Sequence, residues 1–129
     1  MPRLGRIARF LPAAFIYAVI AVLSSRSEFP IEAPFSWFDK LVHFAEFSLL
    51  GLALAFGAFP GRAAPRRERL FGDVSGLWVF GTGLGLLDEV HQMFVPGRKA
   101  DLADAASDAL GIALGIGLYL VLRRRRPRL

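Results

Sequence analysis

Apolar residues in this chain run in blocks of near-membrane length, separated by short stretches rich in arginine or proline. The first block, Phe10 to Leu23, reads as the centre of a helix over about 8–25. It opens on basic residues and closes on "SSRS", as a signal peptide can, but an A-x-A cleavage site is missing and a retained helix is expected. "SSRSEFPIEAPFSWF" follows, with Pro30 and Pro34 marking an extended loop and Phe35, Trp37 and Phe38 suited to a membrane interface. Further helices are expected over about 36–59, 70–93 and 101–122. The hinge "PGRAAPRRER" separates the second from the third, and the turn "FVPGRKAD" the third from the fourth. The expected fold is one all-α domain over 1–129, a four-helix transmembrane bundle.

Composition agrees with the pattern. The 129 residues are 54% hydrophobic, too apolar for an ordinary soluble domain. Cysteine is missing, which excludes disulfides, iron–sulfur clusters and thiolate metal sites. The formal net charge of +5 is concentrated rather than spread. Of 14 arginines, twelve fall in three clusters: Arg3, Arg6 and Arg9; Arg62, Arg66, Arg67 and Arg69; and Arg123 to Arg126 with Arg128. No aromatic residues interleave with them as base stacking would need, so nucleic acid is not an expected partner and anionic lipid headgroups are. The other connections hold only Arg26, Arg98 and Lys99. The positive-inside rule then puts both termini in the cytoplasm of a multi-pass membrane protein, with an even number of spans.

Glycines punctuate the last two blocks. Gly81 and Gly85, and Gly111 and Gly115, form GxxxG pairs that allow close backbone approach. The third helix packing on the fourth, or a homo-oligomer, would use them.

The polar residues inside the blocks carry the chemistry. "FDKLVHFAEF" puts Asp39, His43 and Glu46 on one helical face, with Lys40 beside them. "LLDEVHQMF" holds Asp88, Glu89, His91 and Gln92, and "DLADAASDALG" holds Asp101, Asp104 and Asp108 on one face. All lie at the helix ends assigned to the outside. Seven carboxylates there oppose Lys40, Arg98 and Lys99, leaving 7 − 3, or four, excess negatives. A charge at mid-bilayer costs about 2.5–3.5 kcal/mol on insertion scales. Glu46 and Asp108 lie seven residues, about 10 Å, further in, so both must face the bundle interior. Capping of helix N-termini competes as an explanation for Asp39 and Asp101, a solvated surface position for His91, and a purely structural inter-helix network for His43, Glu46, Asp104 and Asp108.

"DKLVHFAEF" (39–47) together with "LDEVHQMFVPGRKADLADAASDALG" (87–111) resembles the VanZ-like family of small bacterial membrane proteins, over roughly residues 37 to 118. The resemblance picks out Asp39, Lys40, His43, Asp88, Glu89, Gln92, Pro96, Gly97, Arg98, Asp104 and Gly111, and implies asparagine where this chain has Asp108. It implies action at the outer face of the membrane on cell-envelope or lipid-linked components, and a link to resistance to the glycopeptide teicoplanin, with which the family's namesake is associated.

The leading expectation is an outward-facing polar cavity that binds such a component, lined by Asp39, Lys40, His43, Glu46, Asp88, Glu89, Gln92, Arg98, Asp101, Asp104 and Asp108. The alternative is an intramembrane hydrolase or transferase with Asp88 or Glu89 as base or nucleophile, His43 as acid/base and Arg98 steadying a phosphate or oxyanion. No cofactor is expected, a divalent cation on these acids and His43 being the variant that the donor types allow. An ion pathway would need deep ionisable groups toward the cytoplasm, where only Asp73 stands.

Overall fold

A computed structural model describes residues 3–27, 32–60 and 67–125 of the chain. Among the described residues all regular structure is helical: α1 (Arg3–Ala8), α2 (Leu11–Ser24), α3 (Phe38–Ala58), α4 (Arg67–Gln92) and α5 (Leu102–Arg125). Three stretches are long and apolar enough to cross a membrane: Phe38–Ala58 of 21 residues, and Arg69–Gln92 and Leu102–Arg125 of 24 each. The expected helix over 8–25 is instead broken at Arg9–Phe10, leaving α2 with 14 residues, Pro12 sitting in its first turn. The hinge arginines Arg62 and Arg66, Pro30, and the tail residues Arg126 and Arg128 lie outside the described residues.

Partner contacts give the topology. Ser24 meets Asp88, Tyr17 Oη donates to the Leu84 carbonyl (3.1 Å), and Arg9 Nη2 donates to the Phe56 carbonyl (3.4 Å). So α2 runs parallel to α4 and antiparallel to α3. Lys40 meets Asp101 and Asp104 at one end of α3 and α5, and Tyr119 Oη donates to the Phe59 carbonyl at the other. These two helices are parallel, and α4 returns between them in sequence, with Trp78 Nε1 donating to the Ala109 carbonyl at 2.9 Å. The result is an up-down-up-down arrangement. The chain ends of α3 and α5 near residues 38 and 102 meet the C-terminal ends of α2 and α4, forming what is called the polar end below.

The tightest seam joins α3 to α5. A Cβ built on Gly51 would stand 2.5 Å from the Ile112 carbonyl oxygen, and one on Gly111 2.6 Å from that of Phe44. One on Gly115 would collide with the Ser48 carbonyl. The Gly111/Gly115 pair therefore faces α3, not α4 as expected. Its counterpart Gly81/Gly85 does face α5, but receives the side chains of Ile112 and Asp108 rather than backbone. Dispersion between closely approached backbones is the attraction available to helices in an apolar solvent. Around the seam lies a core of Phe47, Leu50, Leu54, Ile112 and Ile116, joined by Ala13 and Ile20 of α2. Phe15, Val22, Leu49, Phe71, Val79, Leu87 and Leu110 stay exposed, an apolar perimeter.

Local signals set the ends. Gly97 takes φ +78° in the Pro-Gly turn between α4 and α5. Asp101 accepts the Ala103 N–H at 2.8 Å and so caps α5. Asp39 occupies the first turn of α3, whose cap position is Trp37 with no side-chain bond, so capping accounts for only one of the two acids. Arg123, Arg124 and Arg125 occupy the last turn of α5, opposing its dipole.

Gly115→Ala is expected to lower the unfolding free energy by about 1–3 kcal/mol, the usual cost of overpacking. Gly83→Ala and Gly117→Ala, where a Cβ meets nothing within 4 Å, should leave stability unchanged or slightly raised. Thermal unfolding of the purified variants in one detergent compares them.

Candidate functional site

Every long helix delivers ionisable side chains to the polar end, and they meet. At its rim, Lys40 Nζ donates to Asp101 Oδ2 at 2.9 Å, Asp104 Oδ1 at 3.2 Å and Asp39 Oδ2 at 3.3 Å. One ammonium thus spends its three donors on three carboxylates from two helices. Asp101 lies outside the spans, and the Lys40 ammonium, aided by the Ala103 N–H, holds its carboxyl below the usual carboxylate range. A lowered folded-state pKa stabilises the fold above the unfolded value near 3.8, and that contribution is lost as pH falls through the lower folded value.

One turn deeper, His43 Nδ1 stands 3.0 Å from Asp108 Oδ1 and 4.0 Å from Glu89 Oε1, while its Nε2 is 4.0 Å from Asp104 Oδ2. The imidazole is thereby surrounded by acids from α4 and α5. Gly85 makes this possible: a Cβ there would stand 2.8 Å from the Asp108 Cβ and 3.0 Å from its Oδ2. On the α4 side, Asp88 Oδ2 accepts Ser24 Oγ–H at 2.8 Å and the Gln92 amide at 3.1 Å; Gln92 Oε1 in turn accepts from Arg98 Nη2 at 3.2 Å. Glu89 Oε2 accepts the Asp101 backbone N–H at 2.8 Å, tying the end of α4 to the start of α5.

Burial is deep. His43, Asp88, Glu89, Gln92, Asp104 and Asp108 are each 5% exposed or less. Three carboxylate oxygens among them, Asp88 Oδ1, Glu89 Oε1 and Asp108 Oδ2, are buried without a hydrogen-bond donor among the described residues. Such orphaned acceptors are costly in a protein interior and more so beside hydrocarbon.

Of the expected site residues, Asp39, Lys40, His43, Asp88, Glu89, Gln92, Arg98, Asp101, Asp104 and Asp108 belong to this connected cluster. Glu46 is half-buried and has no hydrogen bond or ion pair among the described residues. His91, read as a surface residue, is exposed, with Nε2 3.1 Å from Ser25 Oγ. Ser24 and Ser25 escaped the sequence reading. "SSRS" reads as the close of the first apolar block, and the helix expected over 8–25 takes in both serines without giving them a role, although two hydroxyls after an apolar helix are also a means of reaching buried acids. Clefts elsewhere flank α4, one lined by Phe59, Asp73, Gly76 and Phe80 and one by Phe71, Trp78, Ile116 and Leu120.

Helices long and apolar enough to cross a membrane, joined at one end by an acid–imidazole–ammonium network, define the class of small helical protein to which this chain belongs. A family model described as VanZ/LLP1 matches residues 3–123, nearly the whole chain, and the protein belongs to that family. The match includes α1 and α2, ahead of the motifs at 39–47 and 87–111. No curated protein and no solved structure matches the chain.

Lys40→Met should destabilise the fold by about 1–3 kcal/mol, since it strands hydrogen-bonded acids in a partly buried site. Adding Asp104→Asn should recover part of that loss. A double-mutant cycle on unfolding free energies measures the coupling, expected to exceed about 0.5 kcal/mol.

Proposed function

We propose that this protein is a four-span protein of the bacterial cytoplasmic membrane, both termini cytoplasmic, that binds an anionic cell-envelope or lipid-linked component at its polar end and contributes to glycopeptide (teicoplanin) resistance. The fourth span is α2. Arg9 lies against Phe56 (5.4 Å from the guanidinium carbon to the ring centroid) near the foot of α3, and Ser24 reaches Asp88 near the polar end. A chain of 14 helical residues thus travels nearly the length of the bundle, with the flanking Arg9–Phe10 and Ser25 completing the distance. The orientation rests on arginines: Arg9, Arg69 and Arg123 to Arg125 gather at the end opposite Lys40 and His43, and positive clusters stay in the cytoplasm. The aromatic group Phe35, Trp37 and Phe38, with ring centroids 4.1 and 5.5 Å from Phe35, fits the outer interface.

One observation carries the binding reading. Arg98 stands at the edge of the buried network, and among the described residues the one hydrogen bond of its guanidinium goes to the neutral Gln92. Guanidinium carries five N–H donors in a fork that suits phosphate and carboxylate. Lys40, by contrast, is fully engaged by acids. A half-buried arginine with donors to spare, next to the exposed Lys99, suits the phosphate of a lipid-linked precursor arriving from the outer leaflet. Membership of the VanZ/LLP1 family supports the envelope setting.

Expression in a susceptible host should raise the teicoplanin concentration needed to stop growth, and Arg98→Ala should abolish that rise at equal protein level; an undiminished rise contradicts the reading. The cysteine-free sequence makes the orientation directly measurable. In intact cells a membrane-impermeant maleimide should label Lys99→Cys, while Arg69→Cys should react only after permeabilisation.

A further inference from the structure

We infer that His43, Asp88 and Glu89 form a binding site for one divalent transition-metal cation, buried at the polar end. The three side chains come from two helices, and each offers a ligand atom within 4.8 Å of the other two. Metal–ligand bonds of about 2.0–2.4 Å place opposed ligand atoms about 4.0–4.8 Å apart, so the set closes on an ion with small side-chain adjustments.

A second, independent observation points the same way. Among the described residues Asp88 Oδ1 and Glu89 Oε1 are buried without a donor, in residues at most 5% exposed. Each carboxylate has its other oxygen satisfied by protein: Asp88 Oδ2 by Ser24 and Gln92, Glu89 Oε2 by the Asp101 N–H. That division, one oxygen anchored and one left over, orients a carboxylate as a monodentate ligand. It also supplies the outer partners by which ligands are commonly held. Glu89 Oε1 faces His43 Nδ1 at 4.0 Å, too long for a hydrogen bond and suitable for two ligands of one ion. Asp108 Oδ1 stands 3.0 Å from that same nitrogen, so an ion taken at Nδ1 replaces the proton shared there and brings the Asp108 carboxylate within reach as a further ligand.

Charge argues for the cation as well. Asp88, Glu89, Asp104 and Asp108 are buried, and the one lysine in contact with any of them reaches only Asp104. A divalent ion offsets two of the three remaining negative charges and gives Asp88 Oδ1 and Glu89 Oε1 a shared partner. One imidazole with carboxylates favours Mn²⁺ or Zn²⁺ over the all-oxygen preference of Ca²⁺ and Mg²⁺. Arg98 is not among the ligands, reaching Asp88 only through Gln92, and the site is tested with the metal alone, so failure of metal binding and failure of the envelope reading are distinguishable.

Mn²⁺ titrated into the purified full-length protein in detergent should lose its free six-line paramagnetic resonance signal up to one ion per chain. Asp88→Asn and Glu89→Gln should each weaken binding at least tenfold, and Asp73→Asn, in the distant cleft, should not change it. Because a variant can fail through misfolding, two further readings apply. Bound Mn²⁺ in the wild-type protein should show hyperfine coupling to nitrogen, changed on ¹⁵N-histidine labelling. Mn²⁺ should also raise the melting temperature of the wild type and not of Glu89→Gln, which without metal should be as stable as the wild type or more so. The proposal is overturned by free Mn²⁺ signal persisting at millimolar metal, by equal affinity across the variants, or by bound Mn²⁺ without nitrogen coupling.

Discussion

An ionised or hydrogen-bonding side chain has no acceptable position facing hydrocarbon, and this constraint organises the polar end. Asp104 and Asp108 begin α5, Asp88 and Glu89 end α4, and Lys40 and His43 begin α3, so the alternation of helix direction delivers all of them to one level. Once there, each has to find partners in the others. Lys40 joins α3 to α5 through Asp101 and Asp104, His43 reaches Asp108, and Ser24 brings α2 to Asp88. Polar satisfaction holds the helices in register at this end, where apolar packing among lipid-like side chains would tolerate sliding.

Backbone approach makes that network geometrically feasible. Gly51, Gly111 and Gly115 let α3 and α5 lie nearly in backbone contact. Being parallel, the pair brings the first turns of both helices side by side, and a lysine and a histidine meet aspartates without long reaches. Gly85 opens α4 for the Asp108 carboxylate in the same way. The small residues and the charged ones are therefore parts of one arrangement: bulk at the seam would separate Lys40 from Asp104 as surely as removing either group.

Much of this was legible in the sequence, for identifiable reasons. Long apolar blocks and the 3.6-residue period fixed α3, α4 and α5 to within a few residues, and helical spacing put Asp39, His43 and Glu46 on one face and Asp101, Asp104 and Asp108 on another, of which His43, Asp104 and Asp108 are buried. The break at Arg9–Phe10 was not, because Pro12 is as acceptable in a helix's first turn as in a kink. Which helix the Gly111/Gly115 pair faces was also hidden, since GxxxG reports a close approach without naming the partner. Ser24 went unseen because a hydroxyl at a helix end carries no periodic signature. Glu46 shares a face with His43 yet makes no hydrogen bond or ion pair among the described residues, which the helical period alone does not foretell.

The convergence itself is open to direct measurement in the unmodified chain, which has only two histidines. Solid-state magnetic resonance on protein in lipid bilayers, with ¹⁵N-histidine and ¹³Cγ-aspartate labels, reports which imidazole lies beside an aspartate carboxyl. His43, with Nδ1 3.0 Å from Asp108 Oδ1, should show strong nitrogen–carbon dipolar dephasing for a separation of about 4 Å, lost in Asp108→Asn, while His91, bonded to Ser25, shows little. No dephasing at His43 would mean that α3 and α5 do not aim these groups at each other, and the account of the polar end would fail.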